Sequence, residues 1–374
     1  MDLSGSQDFG WRGRWIAWRN SILANPRFQR FASSFPLTRP IAKRRASAIF
    51  DLVAGFTYSQ ILAACIETKL LESLAKAPGL TADIAGRISL PEAGTERLLR
   101  AAAALKLVEP LGGGWALGSD GAALLGNPGI AAMVAHHHLL YADLADPVAL
   151  LKRGGGGGAL SGLWHYAESA GEGNAEAVAA YSALMAASQP LVAEMAIDSY
   201  AFGRHRRLLD VGGGEGVFLT AMARRAPKLE LGLFDLDSVG ARARKRLDSE
   251  GLGARINIFG GSFLTDPLPT GFDIITLIRV LHDHDDDTAL ILLRAVHAAL
   301  PEGGKLFIAE PMAQTPGAER AGNAYFGFYL LAMGSGRPRT PTEIAAMLRT
   351  AGFAGSRLLR TAIPQTVRTI IATR

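Results

Sequence analysis

One stretch constrains this chain more than any other: Arg206-Arg207-Leu208-Leu209-Asp210-Val211-Gly212-Gly213-Gly214-Glu215-Gly216. An apolar strand ends in an acid and breaks into glycines, and Val217, Phe218, Leu219, Ala221 and Met222 then supply the apolar side of a helix. Strand, glycine turn and helix N-terminus are how α/β folds hold a nucleotide-like ligand, because glycine alone lets the backbone come so close. The spacing excludes a dinucleotide: G-x-G-x-x-G would need a last glycine where Val217 or Leu219 stands. The next strand, Leu231–Asp235, places Asp235 19 residues beyond Gly216, near the spacing of roughly 20 at which an acid meets ribose hydroxyls. Strands are also expected at Ile256–Phe259, Phe272–Val280 and Lys305–Glu310, with a terminal antiparallel pair at Ser356–Ala362 and Thr366–Ala372. Alternation of this kind predicts a doubly wound α/β sheet that binds ligands at its strands' C-terminal ends. Asp210, Asp235, Ser262, His282 and Glu310 stand at those ends and should share one crevice.

The remainder of the 374 residues reads as two further segments. From Phe9 to Phe50 there are nine basic residues and no acid, more positive charge than the whole chain's net +5. Trp11, Trp15, Trp18 and Ile22 recur on one face of a helix, and Phe28, Phe31 and Phe35 continue beyond Pro26. Such an arm suits either an anionic membrane interface or a partner subunit. The order that follows is helix, helix, hairpin: a winged helix, with Glu96–Leu107 as its second helix and a glycine turn at Gly112–Gly114. That second helix is alanine-rich and lacks polar groups for base edges, so packing or dimerisation is expected rather than DNA binding. The expected divisions are an arm at 1–45, a helical winged-helix dimerisation domain at 46–200 and an α/β domain at 201–374. Adjacent histidines point in different directions on a helix, so His136-His137-His138 predicts no metal site. Gly154–Gly158 reads as a flexible loop or linker. One cysteine, no run of about 18 uncharged apolar residues and no secretory leader suggest a soluble or peripheral protein of the cytoplasm.

The glycine turn, D-x-G-x-G-x-G, resembles the first motif of S-adenosylmethionine (SAM) methyltransferases. Asp210–Gly216, Phe234-Asp235-Leu236, Gly260-Gly261-Ser262-Phe263, Arg279-Val280-Leu281-His282-Asp283-His284 and Gly336-Arg337-Pro338-Arg339-Thr340 together are similar to the plant-phenolic-type O-methyltransferases. That resemblance spans about residue 46 to the end. It implies a homodimer in which a winged-helix dimerisation domain precedes a Rossmann-like, seven-stranded class I methyltransferase domain. It also implies SAM contacts at Asp210, Gly212, Gly214, Gly216, Asp235, Leu236, Ser262, Phe263 and Arg279. His282 would be the base, with Asp283 and Glu310 orienting it. Two positions depart: Pro338 stands where phenolic members carry a second orienting glutamate, and Ser262 where they carry the acid that reads adenine.

Within the family the likeness is greatest to purple-bacterial carotenoid O-methyltransferases, through Ile49–Phe56, Ala101–Val108, His137–Leu151, Gly261–Leu268 and Tyr325–Thr340. This implies methylation of the 1-hydroxyl of an acyclic hydroxycarotenoid, on the cytoplasmic face of a photosynthetic membrane. Tyr181, Met185, Tyr325, Phe326, Tyr329 and Met333 would line an apolar groove for it. The alternatives are a phenolic, polyketide or bacteriochlorophyll-type acceptor, or a non-catalytic ligand-sensing regulator.

Overall fold

The computed structural model describes residues 10–162 and 175–374; the side chains of residues 128, 175–184 and 187 lie outside that description. The chain divides into two compact units, Met1–Gly118 and Ser119–Arg374. Residues 119–200, expected with the dimerisation domain, therefore belong to the unit that carries the sheet.

The first unit opens with α1 (Gly10–Ala24), α2 (Pro26–Ser34) and α3 (Arg39–Glu67). Asn25 starts α2 by accepting the amide hydrogens of Arg27 and Phe28, and Pro26 takes the first helical position, where no amide hydrogen is needed. Neither α1 nor α2 has a buried residue. In the 29 residues of α3 only Cys65 is buried, and burial pushes its thiol up to about 12, which makes it core rather than nucleophile. Ile49, Phe50, Leu52, Val53 and Phe56 stand exposed on α3. Apart from Asp51, residues 46–66 are uncharged. By length and composition α3 is apolar enough to cross a membrane, although Asp51 interrupts its uncharged stretch. The core of an unpartnered helix of a soluble dimer passes the same test, since a second subunit covers such a face equally well.

Helices Leu70–Lys76, Thr81–Ile88 and Glu92–Ala104 and the antiparallel hairpin β1 (Val108–Leu111) and β2 (Gly114–Leu117) complete this unit. Trp115 locks the wing to the helices. Its backbone pairs with Gly79, and its indole N–H donates to Thr81 Oγ1 at 3.1 Å, which itself donates to Glu96 Oε2 at 2.6 Å.

The second unit is built on a seven-stranded sheet whose strands, from one edge to the other, are Ile256–Gly260 (β5), Glu230–Asp235 (β4), Arg207–Val211 (β3), Ile274–Ile278 (β6), Lys305–Glu310 (β7), Arg368–Thr373 (β9) and Gly355–Leu359 (β8). Strands β3, β4, β5, β6 and β7 are parallel. The terminal pair β8 and β9 is antiparallel, with β9 inserted between β7 and β8. Strand order reverses between β3 and β6, and the crevice of such a sheet opens there. One apolar layer covers each face. Phe307 anchors the first, fully buried, with Phe202 edge-on at 4.9 Å between ring centroids and Tyr200 at 5.8 Å.

The glycine run 154–158 is not a linker. Asp143 accepts the amides of Ala159 and Leu160 at 2.7 and 2.9 Å, and Gly156 N–H donates to Leu331 O at 2.9 Å. A Cβ on Gly334 would lie 2.9 Å from the Gly156 Cα, so these glycines are there for close backbone approach, not for mobility. Phe307→Ala is expected to lower the unfolding free energy by about 3–5 kcal/mol in urea titrations, as emptying a full aromatic site does; a loss under about 1 kcal/mol would mean that this layer does not carry the fold.

Candidate active site

The glycine turn after β3 takes positive φ at Gly212 (69°), Gly214 (57°) and Gly216 (78°), angles that residues with a Cβ rarely adopt. A Cβ on Gly212 would stand 2.8 Å from the Val280 side chain, and one on Gly213 would stand 2.9 Å from Asp210 Oδ2. Asp235, at the end of β4, clasps the turn: its Oδ2 accepts the Gly214 amide and its Oδ1 the Leu236 amide, both at 2.8 Å. Burial raises its pKa, and the two amides oppose that rise. Each oxygen keeps a lone pair for a further donor such as a ribose hydroxyl.

These residues wall a crevice of about 540 Å³, within the range of small-molecule sites. Leu236, Ser262, Phe263, Arg279 and Asp283 share the wall, and Met185 and Gln189 of the helix Ala175–Asp198 close one side. Phe263 meets His284 edge-on at 5.1 Å between centroids, a slot for a flat ring. Ser262 contributes its backbone, whose N–H donates to Asp266 Oδ2 at 2.8 Å. Arg279 holds an αL conformation (φ 58°) at the end of β6 and turns its guanidinium to that same helix, reaching Ser188 Oγ at 2.8 Å, Gln189 Oε1 at 3.3 Å and Met185 Sδ at 3.4 Å. A bulky residue held at positive φ is a strained feature of the kind that gathers at functional sites.

Other expected residues stand behind the wall rather than on it. Asp210 is buried beneath the turn, accepts Thr276 Oγ1 at 2.6 Å, and is pushed up to about 7, chiefly by burial. Gly216 caps the helix Val217–Arg225. His282 is 3% exposed. Its Nε2 lies 3.2 Å from Asp283 Oδ1, while its buried Nδ1 has no hydrogen-bond partner among the described residues. Burial first, then the positive charges of Arg279 and Arg339, hold its pKa down at about 3, so the ring is neutral and the approach to Asp283 is no ion pair. Glu310 does not orient the imidazole by a bond to the ring. Its Oε2 accepts the His282 backbone amide at 3.0 Å, and burial pushes the carboxyl up to about 7. Tyr329 and Met333 pack with Leu140, Leu150 and Leu160 as core. The side chain of Tyr181 lies outside the described residues. Phe326 stands half-buried beside His282, with 6.1 Å between ring centroids.

Arg339, which carries no role on sequence grounds, is wholly buried. Its guanidinium donates to the carbonyls of Leu281 and His284 at 2.8 and 2.7 Å and pairs with Asp286 at 2.8 Å, fixing the turn that carries His282, Asp283 and His284. In the sequence it is one arginine in a basic motif, and nothing marks it as buried. A structural or substrate-lining role, rather than a metal site, is what the three adjacent histidines suggest, and His137 has its Nε2 2.7 Å from Tyr325 Oη.

A glycine turn clasped by the acid of the next strand, at the switch point of a seven-stranded sheet with an antiparallel terminal pair, defines a class I methyltransferase. The donor set fits the methyl donor: carboxylate oxygens for the ribose, an aromatic slot for the adenine, and no phosphate cradle. Residues 141–354 match the O-methyltransferase domain and residues 50–119 the O-methyltransferase dimerisation domain. The chain is 43% identical to the demethylspheroidene O-methyltransferase of Cereibacter sphaeroides, over 94% of this chain and 93% of that one. It is 42% identical to the enzyme of the same name from Rhodobacter capsulatus, over 94% and 86%. Human N-acetylserotonin methyltransferase in complex with SAM shares the fold at a TM-score of 0.72 and 22% identity, over 88% of this chain and 97% of that one. The protein belongs to the O-methyltransferase family, and SAM is its methyl donor.

The state of His282 has a thermodynamic signature. Folded, the ring stays neutral down to about pH 3; in the unfolded chain it takes up a proton below about 6.5. Its burial is thus neutral above 6.5 and increasingly destabilising as the pH falls. Between pH 7 and pH 5 the wild type is expected to lose about 2 kcal/mol relative to His282→Gln in denaturant unfolding. Parallel pH profiles would show that the imidazole titrates normally in the fold.

Proposed function

We propose that this O-methyltransferase methylates the 1-hydroxyl of an acyclic hydroxycarotenoid. The observation that carries the reading is the 43% and 42% identity, along 94% of the chain, to two enzymes named for demethylspheroidene. In this reading Asp235 accepts the ribose hydroxyls, the turn Gly212–Gly216 above the buried Asp210 takes the methionyl end, and Leu236, Ser262 and Phe263 frame the adenine. Arg279 acts on the donor indirectly, by tying the helix Ala175–Asp198 to the crevice. Holding donor methyl and acceptor oxygen in line is the main physical contribution, worth roughly 7–11 kcal/mol when alignment is good.

The acceptor's chemistry also suits the first unit. A polyene of this length resides in the bilayer, and the arm presents Trp11, Trp15, Trp18 and Phe31 to solvent among nine basic residues. Aromatic rings at the headgroup level with cations beside them favour an anionic surface. The enzyme is accordingly read as a homodimer of the cytoplasm resting on the membrane's cytoplasmic face, its dimer formed through residues 50–119.

Three measurements test this. With methyl-labelled SAM, label is expected in a detergent-dispersed 1-hydroxycarotenoid as a methyl ether, and Asp235→Asn is expected to weaken SAM binding by about 10- to 100-fold, as losing charged hydrogen bonds does. Label in a phenol or a bacteriochlorophyll precursor instead would overturn the acceptor. Full-length protein is expected to co-sediment with phosphatidylglycerol-rich liposomes at low salt, and protein lacking residues 1–45 to stay in the supernatant. Equal sedimentation of the two would remove the arm from the membrane.

A further inference from the structure

Proton removal from the acceptor needs a group that can be reached and can hold a charge. His282 meets neither condition well, being 3% exposed and opposed as an imidazolium by burial and by the charges of Arg279 and Arg339. A second imidazole stands nearby in better circumstances. His137, half-buried on the helix Pro128–Asp143, has its Nε2 2.7 Å from the hydroxyl of Tyr325. Burial alone lowers its pKa, so it is neutral at physiological pH with no cation set against its protonation.

Tyr325 is presented by an uncommon device. Residues Arg320–Phe326 form a seven-residue π-helix, a wide turn that is rare and recurs at functional sites. The Tyr325 ring contacts Phe326 at 5.0 Å between centroids, and Phe326 in turn contacts His282 at 6.1 Å. The charge of Arg279, on the crevice wall, acts on Tyr325 and His282 alike. The Tyr141 ring also packs on His137 at 5.9 Å, and its buried hydroxyl has no hydrogen-bond partner among the described residues. An unpartnered buried hydroxyl next to a phenol–imidazole pair is costly unless a ligand completes it.

We propose that Tyr325 grips the acceptor hydroxyl and relays its proton to His137. This rests on the methyltransferase reading above. The acceptor's O–CH3 bond forms as the donor's C–S bond breaks, with the electron pair going to sulfur and the hydroxyl proton left over. That proton passes to the Tyr325 oxygen while the phenol's own proton passes to His137 Nε2. The phenol is regenerated, the positive charge that began on sulfur ends on the imidazolium, and no co-reactant is needed. Tyr141 supplies a second hydroxyl to hold the acceptor oxygen.

The test uses full-length enzyme, methyl-labelled SAM and the 1-hydroxycarotenoid. Tyr325→Phe is expected to lower kcat by on the order of 100-fold, the scale of positioned acid–base groups, with SAM affinity within about twofold of wild type, which also reports an intact fold. His137→Leu should fall as far, His137→Gln should recover part of the loss because its amide oxygen still accepts, and the double variant should be no slower than either single one. A Tyr325→Phe enzyme within about threefold of wild-type kcat, or a comparable loss found in His282→Gln alone, overturns the relay. If wild type labels only another acceptor, the carotenoid reading fails and the same variants on that acceptor decide the relay; a wild type that labels none brings down both.

Discussion

The crevice depends on one carboxylate. Asp235 reaches from the end of β4 to the amide of Gly214 and holds the turn that follows β3. Two parallel strands on one side of the switch point are thereby tied at the end where the ligand sits. The turn needs that tie, because its glycines hold backbone angles that few other residues share and have no side chains to pack. The same acid presents its remaining lone pairs to the crevice, so one group both shapes the site and faces the donor.

On the other side of the switch point a buried cation performs the corresponding task. Arg339 lies fully buried and donates to the carbonyls of Leu281 and His284, at the two ends of the turn that carries His282. Gly336 lets the chain press against that segment, and Arg337 N–H donates to His282 O at 3.0 Å. Glu310 takes the His282 amide from the end of β7. Glu310 is spent on the His282 backbone amide and Asp283 approaches Nε2, so neither carboxylate reaches the imidazole Nδ1, which has no partner among the described residues. A histidine packed in this way is a neutral prop behind the wall. Proton handling then falls to a pair that is less enclosed, on the π-helix and the helix that faces it.

The first unit poses a different physical problem. Its helices α1 to α3 expose tryptophans, phenylalanines and a row of aliphatic side chains that a soluble monomer would bury. That surface divides by chemistry: the uncharged length of α3 overlaps the dimerisation domain at 50–119, whereas the arm's nine cations lie before residue 46. An apolar face without charge suits a second subunit, and an aromatic face with arginines suits anionic lipid.

How much of this was legible in the sequence follows from the range of the interactions. The glycine turn, the acid at the end of β4, the strand alternation and the helix–helix–hairpin order are local, each written in a dozen or so consecutive residues, and they were enough for the fold and for the donor. Antiparallel pairing of the terminal strands was legible too, though not that β9 inserts between β7 and β8. What the sequence could not show is which residues are brought to the wall and which are sealed behind it. Asp210, His282 and Glu310 are strand-end residues by sequence, yet all three are buried, because the turns above them fold back over the strand ends. Arg339 and the His137–Tyr325 pair join residues 53 to 188 positions apart in the chain, and the glycines at 154–158 look like a linker until Gly334 packs against them. Local backbone chemistry determined the fold and its methyl donor; long-range packing alone decided which side chains line the crevice.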